Sequence, residues 1–134
     1  MIWNDNIYIK EFIKETRTSG TVTSLTIKCK VYKKDALPTV AGDGNMLSYN
    51  DQTMTVKTRS GKNYYNFNSA TALVEKSFTY TVPSDEQTTE TQSSDLNAYF
   101  AKYKQWHTSY QDTSAYETCY NALWTDLEAL DVSW

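Results

Sequence analysis

At Pro83 the sequence changes both its rhythm and the sign of its charge, and any fold of the chain has to accommodate that break. Before it, apolar residues recur at every second position in short runs rich in Thr, Tyr and Lys, which is the period of strands. After it, an acidic stretch leads into apolar residues three and four apart, the period of helices. Residues 1–82 hold 11 Lys and Arg against 7 Asp and Glu, and residues 83–134 hold 2 against 9, together the 13 basic and 16 acidic residues of the chain. A basic, strand-forming half is thus joined to an acidic, helix-forming half. With 134 residues the chain suffices for one domain, or one domain with an appendage, and can bury a core without metal or disulfide staples.

The clearest strand runs from Thr21 to Tyr32, where Leu25, Ile27, Cys29 and Val31 face one way and Thr26, Lys28, Lys30 and Tyr32 the other. Ser19-Gly20 supplies the turn before it, and Ile7 and Ile9 alternating with Tyr8 and Lys10 mark an earlier strand over residues 7–13. Lys33 to Asn45, with Pro38, Gly42 and Gly44, reads as a loop. Met46 to Tyr49, Thr53 to Thr58 and Asn63 to Asn68 read as strands of two successive hairpins, and Ser69 to Lys76 as a short helical turn. Ser77 to Val82 is a last strand, which Pro83 ends because proline cannot donate to a ladder. About six closely spaced strands predict an α+β fold: an antiparallel β-sandwich or small barrel over residues 1–82, followed by a helical hairpin.

Residues 83–95 are acidic and hydroxyl-rich, without a large apolar residue after Val82, and read as a solvated, mobile linker. From residue 96 to 134 a helical stripe of Leu96, Tyr99, Phe100, Tyr103, Trp106 and Tyr110 is followed, after an interruption at Gln111 to Thr113, by Tyr116, Cys119, Tyr120, Leu123, Leu127 and Leu130. Ser94 or Asp95 is placed to cap the first helix, and Ser114 to Glu117 has the spacing of a capping box for the second.

Catalytic and metal chemistry find little footing in these residues. His107 is the only histidine, which removes most zinc and iron designs, and it reads as a helix-surface residue. Cys29 and Cys119 fall on apolar stripes and read as small buried residues. Asn4-Asp5-Asn6 and Asp43-Gly44-Asn45 lack the continuation of a calcium loop and are better explained by turn chemistry. The expectation is a non-enzymatic protein with no catalytic residue, cofactor or metal. No stretch approaches a membrane span and the first residues carry no signal-peptide pattern, so the expected location is a virion or the cytoplasm.

Binding chemistry offers three readings. Lys28, Lys30, Lys33, Lys34, Lys57, Arg59 and Lys62, interleaved with Tyr32, Tyr64 and Tyr65, have the composition of a single-strand nucleic-acid face, although lysine on a strand's outer side also keeps sheets soluble and the chain is net acidic. Trp3, Tyr49, Tyr64 and Tyr65 stand beside amides suited to stacking sugars, the mark of a carbohydrate-binding module. The third reading is assembly. Trp106, Tyr110, Tyr120, Trp124, Leu127, Leu130 and Trp134 present more apolar surface than two short helices need for each other; it must cover the chain's own sheet or a partner, which makes these residues interface candidates for protein partners or for self-association. Opposite charge at the two ends favours contacts between unlike patches.

The chain also starts directly in a strand, is rich in Thr, Tyr, Asn and Ser, and has runs such as Val22-Thr23-Ser24-Leu25-Thr26-Ile27 and Ser77-Phe78-Thr79-Tyr80-Thr81-Val82. In this general character it resembles small bacteriophage virion proteins of tail, neck or head. The resemblance covers mainly residues 1–82, contains no diagnostic motif and carries no functional residue over. It implies a structural role in a particle holding many copies by symmetry.

Overall fold

The computed structural model of the protein describes residues 4–42, 46–50, 55–59, 63–130 and 132–134, with the backbone alone for 46–50 and 55–59. Its frame is a three-stranded antiparallel sheet of β1 (Ile7–Thr18), β2 (Thr21–Lys33) and β7 (Val74–Thr81), with β2 in the middle. Two short ladders intervene in the chain: β3 (Thr39–Ala41) with β6 (Asn63–Tyr65), and β4 (Met46–Asn50) with β5 (Thr55–Arg59). Two helices follow, α1 (Leu96–Gln111) and α2 (Ser114–Glu128). The α+β class and both helices match the sequence reading, while the predicted six-stranded sandwich or barrel is replaced by one three-stranded sheet and two separate ribbons. The reason lies in strand length. β1 runs on from the predicted residues 7–13 to Thr18 and forms one long hairpin with β2, which keeps its predicted extent to within one residue, leaving strands of three to five residues for the middle of the chain.

That hairpin turns on Ser19 and Gly20, whose φ values of 52° and 82° are both left-handed, as a two-residue turn matched to strand twist requires. Just beyond it the register shifts between Thr16 and Arg17, so that Thr16 faces Ser24 and Arg17 faces Val22. The extra residue, Thr23, reverses the alternation and brings Val22 to the inner face beside Leu25.

The helices cover that inner face. Val22, Leu25, Ile27, Cys29 and Val31 of β2 are fully buried beneath Phe78 and Tyr80 of β7 and Trp106, Tyr110, Cys119, Leu123 and Leu127 of the helices. Phe78 meets Tyr110 and Tyr116 edge to face, with ring centroids 5.6 and 5.9 Å apart. Each large side chain so buried contributes about 1.5–3 kcal/mol, so the helical layer is part of the core. Asp95 caps α1 by accepting the Ala98 amide proton at 3.0 Å. Thr113 caps α2, one residue ahead of the predicted capping box.

The joint over residues 83–95 is anchored, contrary to its reading as a mobile linker. Glu86 is buried and accepts the Tyr80 hydroxyl at 2.8 Å, and its carbonyl accepts the Trp106 indole N–H at 2.8 Å. The Thr88 carbonyl accepts the Val22 amide, and the Arg17 guanidinium reaches the carbonyls of Thr89 and Glu90. Short-range composition predicts solvation of this stretch; long-range contacts to the hairpin end override it. No helix among the described residues is long and apolar enough to cross a membrane.

If the turn geometry sets the hairpin, Ser19→Asn should stabilise the protein by about 0.5–1 kcal/mol and Gly20→Ala should destabilise it by about 1 kcal/mol. Nothing lies within 4 Å of a Cβ at position 20, so the second effect is conformational rather than steric. Urea unfolding followed by tryptophan fluorescence measures both.

Candidate interaction site on the open face of the sheet

The three strands sort their charges by face. On the side away from the helices, cross-strand ranks place Thr16 by Ser24 and Thr81, Lys14 by Thr26 and Thr79, Phe12 by Lys28 and Ser77, Lys10 by Lys30 and Glu75, and Tyr8 by Tyr32. Lys10 and Lys30 stand directly opposite each other. Like charges directly opposite are destabilising, and Lys14 and Lys28 add two more ammonium groups to the same surface. Among the described strand residues of this face the one acid is Glu75, 3.6 Å from the Lys30 ammonium.

Aromatic rings lie among these lysines. Phe67, just after β6, folds over this end of the sheet against Tyr8, Phe12 and Tyr32, and Tyr65 meets Tyr8 edge to face at 5.5 Å. Lys30 lies 5.2 Å from the centre of the Phe12 ring and Lys10 lies 5.9 Å from that of Phe67. Toward the hairpin end the face becomes an exposed surface of Thr16, Thr79, Thr81 and Ser77 around the exposed Lys14 and Lys28. It is positively charged, lined with hydroxyls and without a covering layer among the described residues, a surface suited to an anionic partner.

The inner face holds the acids of β1. Glu11 and Glu15 occupy inward positions between Ile9, Ile13 and the helices, and their charge is met by phenols. Tyr110 of α1 and Tyr120 of α2 each donate a hydroxyl hydrogen bond to Glu11, one to each carboxylate oxygen. Tyr99 donates to Glu15, which also receives the Arg17 guanidinium at 3.1 Å. Burial, and then the neighbouring Glu11 charge, raise the Tyr110 and Tyr120 phenols well above their ordinary range. The His107 ring lies 3.9 Å from Glu11. With two phenols on its two oxygens Glu11 is occupied as an acceptor, and its role here is to tie one strand to both helices.

Several residues singled out from sequence are placed differently from their expected roles. Trp106, Tyr110 and Leu127 are buried in the chain's own core, Tyr120, Trp124 and Trp134 pack partly buried against it, and Leu130 alone of the seven interface candidates is exposed. The apolar excess of the helices is consumed by the sheet. His107 is partly exposed, with its ring 3.9 Å from Glu11 and 3.4 Å from the Gln111 amide. Of the sugar-stacking candidates, Tyr65 is engaged with Tyr8 and Phe67, Tyr64 is half-buried on β6, and Trp3 and the Tyr49 side chain lie outside the described residues, as do the side chains of Lys57, Arg59 and Lys62. Sequence reasoning missed Glu11 and Glu15. Their signal was present, since both fall in the odd-numbered register with Ile7, Ile9 and Ile13, where a buried face demands a partner for any charge. The chain matches no family model, no curated protein and no solved structure.

Glu11→Ala would leave the buried Tyr110 phenol and the partly buried Tyr120 phenol without their acceptor, and the expected cost is about 3 kcal/mol, a fall in Tm of roughly 10 °C. Tyr120→Phe should cost about 1–2 kcal/mol and add little once Glu11 is gone, a coupling that a double-mutant cycle reads. The phenols bind their protons more tightly folded than unfolded. Their contribution is therefore complete below the ordinary tyrosine value of 10.0 and is lost as pH rises above it. Thermal melts should show a falling Tm on the alkaline side of pH 10, less steep in Tyr110→Phe.

Proposed function

We propose that the protein is a non-enzymatic structural subunit that assembles head to tail into a larger particle, the basic open sheet face of one copy docking on the acidic helical layer of the next. The observation that carries this reading is the gathering of Lys10, Lys14, Lys28 and Lys30 on one side of the sheet, with Lys14 and Lys28 exposed toward the hairpin end. Its complement is on the same molecule. Asp112, Glu117 and Glu128 are exposed on or beside the helices, in a half of the chain that holds 2 basic residues against 9 acidic.

The two surfaces are unlike, so a contact between them is heterologous and closes into a ring or continues as a stack. Assembly through charge replaces assembly through the helical aromatics, which serve the core. The compositional likeness to phage virion proteins supports a virion as the setting. The same lysines and rings also suit a single nucleic-acid strand, whose bases stack on aromatic faces beside a basic groove.

Sedimentation velocity at tens of micromolar separates these readings. Self-assembly should give species larger than the monomer at low salt that dissociate as the screening length shrinks to a few ångströms near 1 M salt. The double variant Lys14→Glu, Lys28→Glu should remain monomeric throughout while melting within a few degrees of the parent. A monomer under all conditions that binds single-stranded oligonucleotides with steep salt dependence would replace this proposal by the nucleic-acid reading.

A further inference from the structure

β7 pairs with β2 on one side and, among the described residues, with no strand on the other. The Val82 amide donates to the Thr23 carbonyl at 3.0 Å, and from there the register runs unshifted to Val74 opposite Val31. The alternation of an antiparallel ladder then gives the backbone groups of Lys76, Phe78 and Tyr80 to β2 and turns the N–H and C=O of Glu75, Ser77 and Thr79 outward. Among the described residues these outward groups take no hydrogen-bond partner. β7 carries neither a proline nor a shift of register to blunt the edge. Beside it, β7 and α2 enclose a groove of about 400 Å³ lined by Phe78, Ala115, Thr118 and Ala122. One turn beyond Ala122, Asp126 holds the Lys76 ammonium at 2.9 Å.

We infer that this edge receives a strand of a second copy of the chain, β5 (Thr55–Arg59), within the head-to-tail assembly proposed above, a reading on which the inference rests. Strand addition supplies main-chain hydrogen bonds along the edge, and the groove takes alternate side chains of the incoming strand. Charge attraction brings the copies together; the added strand fixes their register.

The occupant follows from what the rest of the fold leaves unpaired. β4 and β5 pair only with each other among the described residues, and a two-stranded ribbon is marginal in water until a third strand joins it. The ribbon is inserted between β3 and β6, and the chain leaves β6 for Phe67, which folds over the open face that docks on the next copy. In length, Thr55 to Arg59 matches the edge from Glu75 to Thr79. The period of a strand places Val56 and Thr58 on the groove side when Lys57 and Arg59 take the side of Glu75. Charge opposes the symmetric alternative. Pairing β7 with itself about a two-fold axis would set two α2 helices side by side, each with Glu117, Asp126 and Glu128 and no basic residue.

Hydrogen exchange resolved by residue on the full-length protein tests this, comparing low salt with about 1 M salt, where the assembly dissociates. In the monomer the Ser77 and Thr79 amides should exchange freely beside protected Phe78 and Tyr80. On assembly Ser77 and Thr79 should slow on the order of a hundredfold, together with alternate amides of residues 55–59. Ser77→Pro removes an N–H that β2 does not use, so it should melt within a few degrees of the parent while raising the concentration at half-assembly on the order of tenfold. If that variant fails to fold, the exchange pattern of the parent decides. Assembly with Ser77 and Thr79 still exchanging freely would overturn strand addition and leave the face-to-helix contact standing. Protection of Ser77 and Thr79 without residues 55–59 would overturn β5 as the occupant, and a chain monomeric under all conditions would overturn both readings.

Discussion

The carboxylate of Glu11 is the constraint on which the rest of the fold depends. It comes from an inward position of β1, between Ile9 and Ile13, and takes one phenol from each helix, Tyr110 from α1 and Tyr120 from α2. A charge placed there without partners would cost several kcal/mol, so the sheet is stable with Glu11 inside only when both helices are seated. Apolar packing around Leu25, Ile27, Leu123 and Leu127 supplies most of the driving force. Glu11 supplies the register, because only one placement of each helix brings its phenol to the carboxylate. The same device is repeated by Glu15 with Tyr99 and by the buried Glu86 with Tyr80.

Pairing acids with tyrosines inside has a consequence outside. β1 alternates Lys10, Phe12 and Lys14 with Glu11, Ile13 and Glu15, so turning the glutamates inward turns the lysines outward, and β2 adds Lys28 and Lys30 to the same side. The charge asymmetry that runs along the sequence becomes an asymmetry across the thickness of the molecule. On one side of the sheet Lys14 and Lys28 lie exposed toward the hairpin end, with no covering layer there among the described residues, and the acidic helical layer lies on the other. The high tyrosine content, 11 residues, also finds its use here, since a phenol contributes apolar area and a proton donor at once.

Local patterns in the sequence located the longest elements but not the middle of the chain, where Thr39–Ala41 is a strand within a predicted loop and the predicted helical turn Ser69–Lys76 gives way to the start of β7. Alternation in Thr21 to Tyr32 located β2, Ser19-Gly20 located the turn, and the three-and-four spacing of Leu96 to Tyr110 located α1. What failed were readings that depend on partners distant in sequence. Residues 83–95 are acidic and hydroxyl-rich, so they look solvated; their anchoring comes from Arg17, Val22 and Trp106, none of which is near in sequence. Trp106 and Leu127 need a cover that could be the chain's own sheet or a neighbour, a choice helical spacing does not make, and the structure seats them on the sheet. The gathering of phenols on Glu11 is likewise a product of topology: the register of β1 turns the acid inward, but which side chains meet it is decided by helices about a hundred residues away.

The central claim is that the helices are part of the core, held by Glu11, and are not an appendage docked on a self-sufficient β body. Native-state hydrogen exchange tests it most directly. The slowest amides of α1 and α2, around Trp106 and Leu123, should open with the same free energy as those of β2 around Ile27, and should respond to denaturant with the full slope of global unfolding. Helices that exchange through an opening several kcal/mol below the global value, while β2 keeps full protection, would contradict it.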